Sequence, residues 1–430
     1  MLDFVGVGIG PSNLSLAALK QKLPEIRALF FERQPEFCWH DGLLLPGTQI
    51  QVSMFKDLVT LVDPCNPYSF LAFLHAQRRL YRFIHAGFTR VTRSEFNQYL
   101  QWVCANVPGL EFGQTVESVR LDHDCFEIRT SRRVVHSRNV ILGSGLTPTV
   151  PDCAKLHLGE KVFHASEFRA KPNRYGGSHI AVIGGGQTGA EIFASLISDT
   201  TRLPEKVYWI TRRYNFLPLD ESPFTNDLFT PAYSNYFFSL SPETRAKQLA
   251  AQALTSNGVA EDTLRTIYQR LYELEFLERE VYRTALMPAQ ELTGLSTCGC
   301  RFQLTLENQN DGSKSALDVD YVILATGERY LKPDYLEPLL SRLTMCGDNF
   351  AINDDFTVQW DGPSELRIYL QNLGHCSPRG VADRNLSLIA WRSARILNSL
   401  AGRCVFDLHD EGHMVEWGQQ CWSASPQGVA

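Results

Sequence analysis

A chain of 430 residues is long enough for two or three domains with substantial cores, and its 44% hydrophobic and 20% charged content is that of an ordinary globular protein. The net charge of −6 comes with no long basic run, which excludes a nucleic-acid footprint. No apolar stretch approaches the ~18 residues of a membrane span, the first strand signal begins at once with no room for a signal peptide, and the cysteines are odd in number and scattered. These features predict a cytoplasmic protein with reduced thiols and no membrane partner. Only Cys298 and Cys300 stand close together, as C-G-C. With no second pair and no histidine cluster nearby, they predict a turn carrying two incidental thiols, and no metal site.

The first informative stretch is "DFVGVGIGPSNLSLAALKQK", beginning at Asp3. An apolar strand, Phe4 to Val7, runs into a loop with Gly8 and Gly10 and then into a segment of helical periodicity. This is the strand, turn and helix of a dinucleotide fingerprint: the first glycine makes the turn, and the second lets the backbone approach a pyrophosphate. The third glycine, which packs helix against strand, is replaced by Asn13. Leu29 to Phe31 form a second short strand, and Glu32 follows it where an acidic residue should accept the ribose hydroxyls.

Further along, "NVILGSGLTPTVP" (Asn139 to Pro151) is a strand ending in a glycine turn before prolines, the form expected where a chain crosses between two nucleotide domains. "HIAVIGGGQTGAEIFASLI" then repeats the fingerprint in full, with a strand from Ile180 to Ile183, Gly184, Gly186 and Gly189 in G-x-G-x-x-G spacing, and Gln187 and Thr188 opening the helix. Its next strand, in "KVYWITRRYNF", ends in Arg212 and Arg213 where the first unit has Glu32. A guanidinium suits the extra 2′-phosphate of NADP, which a carboxylate would repel. After Phe216, "ETRAKQLAAQAL" and "EDTLRTIYQRLYELEFLEREVY" carry apolar residues at helical spacing. "YVILATGERYLKP" (Tyr321 to Pro333) is a second crossing segment, and the tail "SASPQGVA" has the composition of a disordered end.

Two dinucleotide units, acidic then basic, define an α/β flavoprotein with two Rossmann-like domains, the first for FAD and the second for NADPH. No redox C-x-x-C lies near either loop, which excludes a disulfide reductase. An amine oxidase would not need the second nucleotide. There remain a reductase that hands electrons to another protein, a monooxygenase that hands them to dioxygen and, from another class, a non-catalytic nucleotide-sensing flavoprotein.

Other segments carry a resemblance: "GVGIGPSNLSLA", "IQVSMFKDLVTLVDPCNPYSFLAFL" (Ile50 to Leu74), "VFHASEF" (Val162 to Phe168), "VIGGGQTGAE", "DESPFTNDLFTP" (Asp220 to Pro231), "ILATGERY" and "GVADRNLSLIAWRSARILN" (Gly380 to Asn398). In these the chain resembles, nearly end to end, the microbial N-hydroxylating flavin monooxygenases of siderophore biosynthesis. Asn13 is that family's residue in place of the third glycine. Departures from the wider flavin monooxygenase class are Ala165, Phe168 and Glu328. The resemblance implies that NADPH reduces FAD, that the reduced flavin activates molecular oxygen, and that a neutral primary amine leaves as a hydroxylamine. Neither a metal nor a catalytic triad is then expected. An amine of pKa near ~10 must lose its proton to react, and desolvation helps it do so.

The resemblance also distributes roles. Gly8, Gly10, Pro11, Ser12, Asn13 and Glu32 would hold FAD, with Trp39 and Gln51 approaching the isoalloxazine. Asp383, Asn385, Leu386 and Ser387 would open the last helix, its N-terminus facing the flavin or the reacting centre. Gly184, Gly186, Gln187, Thr188, Gly189, Arg212 and Arg213 would hold NADPH. Lys56, Asn226, Ser387 and, by a looser match, Asn257 would hold the substrate, and Trp391 would be core. Residues 1–160 and 336–430 would form the FAD domain and 161–335 the NADPH domain, with a mainly helical substrate-binding insertion over 217–285. The expected partner is a small cationic amine, and the expected assembly a homo-oligomer, dimer or tetramer. "NLGHCSPRGVADRN" lacks the T-H-G stretch of lysine and ornithine enzymes. It tips the substrate expectation toward cadaverine or putrescine, with L-lysine as the alternative.

Overall fold

The computed structural model describes residues 1–171, 175–198, 203–278, 283–347, 349–371, 377–409 and 414–418. The strand Leu2–Val7 lies inside the first sheet, paired in parallel with Ala28–Phe31 on one side and Val134–Leu142 on the other. Leu110–Glu111 continues the sheet beyond Ala28–Phe31. The other edge of Val134–Leu142 is shared. Its first half pairs antiparallel with Cys125–Thr130, which continues into Val116–Asp122, and its second half pairs in parallel with Arg367–Leu370. A segment more than 200 residues away thus completes the sheet beside the first glycine loop, and the helix Ile389–Ala401 that follows packs on the loop's own helix, Pro11–Leu19.

The second sheet is wholly parallel, in the order Thr284–Met287, Lys206–Ile210, His179–Ile183, Tyr321–Leu324, Val162–His164. Its strands are short continuous apolar runs, as a sheet covered on both faces requires. An antiparallel meander, Gln290–Cys298, Arg301–Asn308 and Lys314–Val319, sits beside it. Cys298 and Cys300 are exposed at the tip of its first hairpin, on either side of Gly299 at φ +59°. The two crossing segments meet each other: Thr147–Pro148 pairs antiparallel with Glu328–Arg329, and Thr149 N–H donates to the carbonyl of Gly327 at 2.9 Å. His164 adds a second tie there, its Nε2 donating to the same carbonyl at 3.1 Å.

Between the strands Lys206–Ile210 and Thr284–Met287 comes the helical insertion. Three of its helices begin with a hydroxyl residue and a proline. Ser222, Thr230 and Ser241 accept from the N–H of Thr225, Tyr233 and Thr244, and Pro223, Pro231 and Pro242 take the first helical position, where a missing N–H costs nothing. The longest helix, Glu261–Tyr272, runs into a π-helical turn, Glu273–Leu277. The expected end of the insertion at residue 285 needs correcting, because Thr284 and Ala285 already pair with Val207 and Tyr208 in the second sheet. Among the described residues no helix is long and apolar enough to cross a membrane. The tail "SASPQGVA" lies outside the described residues.

Candidate active site

The two glycine loops are built alike where a ligand would enter. Gly8 has φ +85° and Gly184 φ +136°, and a Cβ on either would collide with a neighbouring backbone carbonyl, of Gly143 and Ala325 respectively. A Cβ on Gly10 would meet nothing within 4 Å, and one on Gly186 only the carbonyl of Asn257 at 3.9 Å. The second glycine of each loop therefore faces open space at a helix N-terminus, the cradle a pyrophosphate needs. Pro11 takes the first position of the nine-residue helix Pro11–Leu19, and Gln187 and Thr188 open the twelve-residue helix Gln187–Ser198. Asn13, 1% exposed, fills the third-glycine position, and its Nδ2 donates to the carbonyls of Val7 (3.1 Å) and Gly8 (2.8 Å). Gly189 keeps the third position, with its Cβ site 2.0 Å from the carbonyl oxygen of Gly184.

Glu32 closes the first loop: its carboxylate accepts from the N–H of Ile9 and of Gln34, both at 2.9 Å. With Ile9, Gly10, Pro11 and Phe37 it lines a cleft that also contains Trp39. In that cleft the ring of Trp39 packs on Phe96 at 5.6 Å. Gln51 lies elsewhere, donating to Gln187 Oε1 at 3.3 Å. At the second loop Arg213 folds back, bonding the carbonyls of Gly185 (3.4 Å) and Asn257 (2.9 Å), and burial beside Arg212 holds its pKa below the usual arginine value. Arg212 is the outward one, 76% exposed, with Glu291 at 3.7 Å. The side chain of Gln187 bonds within the protein: it donates to Glu191 Oε1 (2.8 Å) and Thr263 Oγ1 (3.2 Å) and accepts from Ala260 N–H (2.8 Å) as well as from Gln51.

Two residues expected at the substrate come together: Lys56 Nζ donates to Ser387 Oγ at 3.2 Å, with the ring of Phe229 5.4 Å from the same nitrogen. The loop before them is organised by Asp57. Its buried carboxylate receives Val59 N–H (2.9 Å), Thr60 N–H (2.7 Å), Thr60 Oγ1 (2.7 Å) and Phe70 N–H (2.7 Å). Asp57 is thus committed to the backbone and does not neutralise its neighbour. Lys56 has no carboxylate partner among the described residues, and burial lowers its pKa from the ordinary lysine value. Asn226 ends the short helix Pro223–Asn226, exposed and three residues before Phe229. Asn257 is exposed at the end of Leu254–Asn257 and lines a small cleft with Gln252, Ser256, Val381 and Arg384. No bond joins either asparagine to Lys56.

The segment carrying Ser387 does not open the last helix, as was expected. Asp383 lies in a 3₁₀ turn, Val381–Arg384; Asn385 is extended, and the helix starts only at Ile389. The reason is a buried polar knot. Asp383 accepts from the N–H of Arg379 (3.0 Å) and pairs with Arg392 (3.3 Å), whose other nitrogen reaches the carbonyl of Gln371. Desolvation raises the carboxyl of Asp383 to about 6 against the pull of Arg392. Arg379, fully buried, also bonds Asn235 and Asp354 and lies over the rings of Phe238 (4.1 Å) and Phe356 (4.8 Å). Trp391 is core, as expected. Phe229, Arg379 and Arg392 escape sequence reasoning because nothing in their spacing marks a buried arginine or a ring beside a lysine.

Two dinucleotide units, each built on parallel strands around a glycine loop, joined by paired crossing strands and carrying a helical insertion, define the class of two-nucleotide flavoproteins. Residues 1–330 match the family model described as L-lysine 6-monooxygenase/L-ornithine 5-monooxygenase. The chain is 39% identical over 419 residues to the L-lysine N6-monooxygenase of Escherichia coli, covering 97% of this chain and 98% of that one. Among solved structures, the FAD-bound cadaverine monooxygenase of desferrioxamine biosynthesis from Erwinia amylovora superposes with a TM-score of 0.91 at 27% identity, covering 98% of this chain and 99% of that one. The ornithine N-hydroxylase of Kutzneria sp. 744, with reduced FAD, NADP+ and L-ornithine, gives 0.86 at 29% identity, covering 94% and 99%. The chain belongs to the N-hydroxylating flavin monooxygenases of siderophore biosynthesis, enzymes that use FAD and NADPH. That membership sets aside the nucleotide-sensing alternative.

Proposed function

We propose that the protein N-hydroxylates the side-chain amine of L-lysine, with FAD on the first glycine loop, NADPH on the second, and the amino acid between Lys56 and the helical insertion. The observation that carries this reading is the ammonium of Lys56, half-buried beside a serine hydroxyl and an aromatic ring with no carboxylate among the described residues to balance it. A substrate α-carboxylate supplies the missing charge, and Ser387 a second donor to it. The overall 39% identity to a lysine enzyme points the same way. A diamine is the second reading. The superposition on the cadaverine enzyme favours it.

In this reading the division of the chain follows the two sheets: 1–160 with 336–430 for FAD, 161–335 for NADPH. Gly10 and Gly186 leave room for the pyrophosphates, Glu32 receives a ribose, and Arg212 meets the 2′-phosphate. Bound FAD, reduced by NADPH, supplies the activation of dioxygen. The chain itself grips the far end of the substrate, strips water from the reacting amine so that its lone pair is free, and roofs the site with the insertion. We place this work in the cytosol, in keeping with nine free cysteines among the described residues. Assembly into two or four copies belongs to the same reading, and the exposed Tyr268, Tyr272 and Phe276 on one helix offer a surface for it.

The test is hydroxylamine formed from L-lysine, cadaverine, putrescine and L-ornithine with FAD, NADPH and air. L-lysine is expected to give the highest kcat/KM. Lys56→Met is expected to raise KM for L-lysine by about 10- to 100-fold, the loss of one charged hydrogen bond, with a small change for cadaverine. The grip needs the protonated lysine. KM for L-lysine should therefore climb as pH rises through the lowered Lys56 pKa, and the variant should lack that limb. A preference for cadaverine, unchanged in Lys56→Met, would move the assignment to the diamine reading.

A further inference from the structure

The ligand roles above leave one cluster without a use. Gln49 bridges Thr92 in antiparallel sense, with Ile50 N–H donating to the carbonyl of Val91 and Arg93 N–H to that of Thr48, both at 2.9 Å, so Gln51 and Arg93 leave the two strands of one paired stretch of the first half. Arg93 crosses to the second half and grips Glu191 with both guanidinium nitrogens, at 2.6 and 2.9 Å; the side chains are 12% and 4% exposed. Glu191 stands one helical turn after Gln187, at the start of the second loop's helix, and receives its Nε2 at 2.8 Å. Gln187 is in turn fastened to Gln51 and, through Ala260 N–H and Thr263 Oγ1, to the insertion. A second ion pair between the first half and the insertion joins Glu221 to Arg90, which precedes Arg93 by one short step along the same segment.

We propose that Glu191 and Arg93 form a latch that sets the second glycine loop at a fixed position against the first half, making both of them positioning residues for reduction of the flavin by NADPH. The proposal rests on NADPH occupying the second loop. The chemistry calls for such a device because hydride passes between two cofactors carried on separate sheets, and its rate falls steeply when donor and acceptor are displaced. A bidentate pair fixes direction as well as distance. Gln187 extends the same connection to the insertion through Ala260 N–H and Thr263 Oγ1.

Removing one partner alone would bury a bare charge and risk the fold, so the test variant is the neutral pair Arg93→Met with Glu191→Gln, alongside the conservative Arg93→Lys. Each is loaded with FAD and mixed with NADPH anaerobically. In the double variant, flavin reduction at saturating NADPH is expected to slow about tenfold or more, with the NADPH Kd within about threefold and oxidation of dithionite-reduced enzyme by oxygen within about twofold. Arg93→Lys should recover part of the rate. An unchanged reduction rate, with only a lower Tm, would make the pair structural and overturn the latch. An unchanged rate with a weakened Kd would overturn it too, by assigning the pair to the nucleotide itself. Gly186→Val separates the underlying reading: filling the open space at that glycine should abolish NADPH binding, and retained binding would show that NADPH sits elsewhere.

Discussion

The two glycine loops solve one packing problem with different chemistry. Both must bring a helix N-terminus against a strand end while leaving the second glycine open. The second loop does so by subtraction: Gly189 has no side chain, and the carbonyl of Gly184 occupies the space, held there by the indole N–H of Trp209 at 2.9 Å. The first loop does so by substitution, with the amide of Asn13 in the gap, bonded to two loop carbonyls. The cost of that amide appears on the neighbouring strand end, where a Cβ at Gly143 would fall 2.5 Å from Asn13 Nδ2. A missing glycine in a motif is thus matched by a required glycine elsewhere, and the contact lies 130 residues along the chain.

The largest expected effect tests the loop built by subtraction. In Gly189→Ala the new methyl meets a carbonyl that Trp209 does not release, and overpacking against backbone should destabilise the second half by about 3 kcal/mol or more. The first half should still bind FAD while NADPH no longer reduces it, which absorbance at the flavin bands would read directly. Next comes the loop built by substitution. Gly143→Ala should lose about 1–3 kcal/mol and some FAD. Adding Asn13→Gly, which empties the gap, should give a double variant less damaged than the sum of the two singles, with a coupling of about 1 kcal/mol in thermal unfolding. Strict additivity would mean that Asn13 and Gly143 do not share the space.

The same contrast shows what was legible in the sequence. Both loops, Glu32, the arginine pair and the crossing segments are local patterns, in which spacing alone fixes the geometry, and all lie on the expected elements. The meeting of Lys56 with Ser387 joins positions 331 apart, and it was reached only through resemblance. What failed to be legible is side-chain direction. Gln187 opens the second helix as expected and its side chain turns to Glu191, and Trp39 shares a cleft with Glu32. Asp383 was expected at a helix start, but a buried pairing with Arg392 holds it in a tighter turn before the helix begins. Gln187 is also fastened to Gln51, Ala260 and Thr263 far along the chain, whereas its bond to Glu191 and the pairing of Asp383 with Arg392 are local; hydrophobic periodicity reveals none of them.

The smallest expected effect concerns the charged ends of the two units. Glu32 is held by two backbone N–H groups, so its position is set before any ligand arrives. Arg212 is unlike it, extended into solvent with only a loose partner in Glu291, while its neighbour Arg213 is spent on two carbonyls. If Arg212 is the residue that meets the 2′-phosphate, Arg212→Ala should weaken NADPH by about tenfold and leave NADH unchanged, since an exposed charge-assisted contact contributes little more than that. The loss should shrink as salt rises, because an exposed pair is screened. Arg213→Ala should instead weaken both nucleotides alike, because it frees the carbonyls of Gly185 and Asn257 and loosens the loop itself. Equal selectivity losses in the two variants would make the arginines interchangeable, and the contrast between a prearranged acidic end and an exposed basic one would fail.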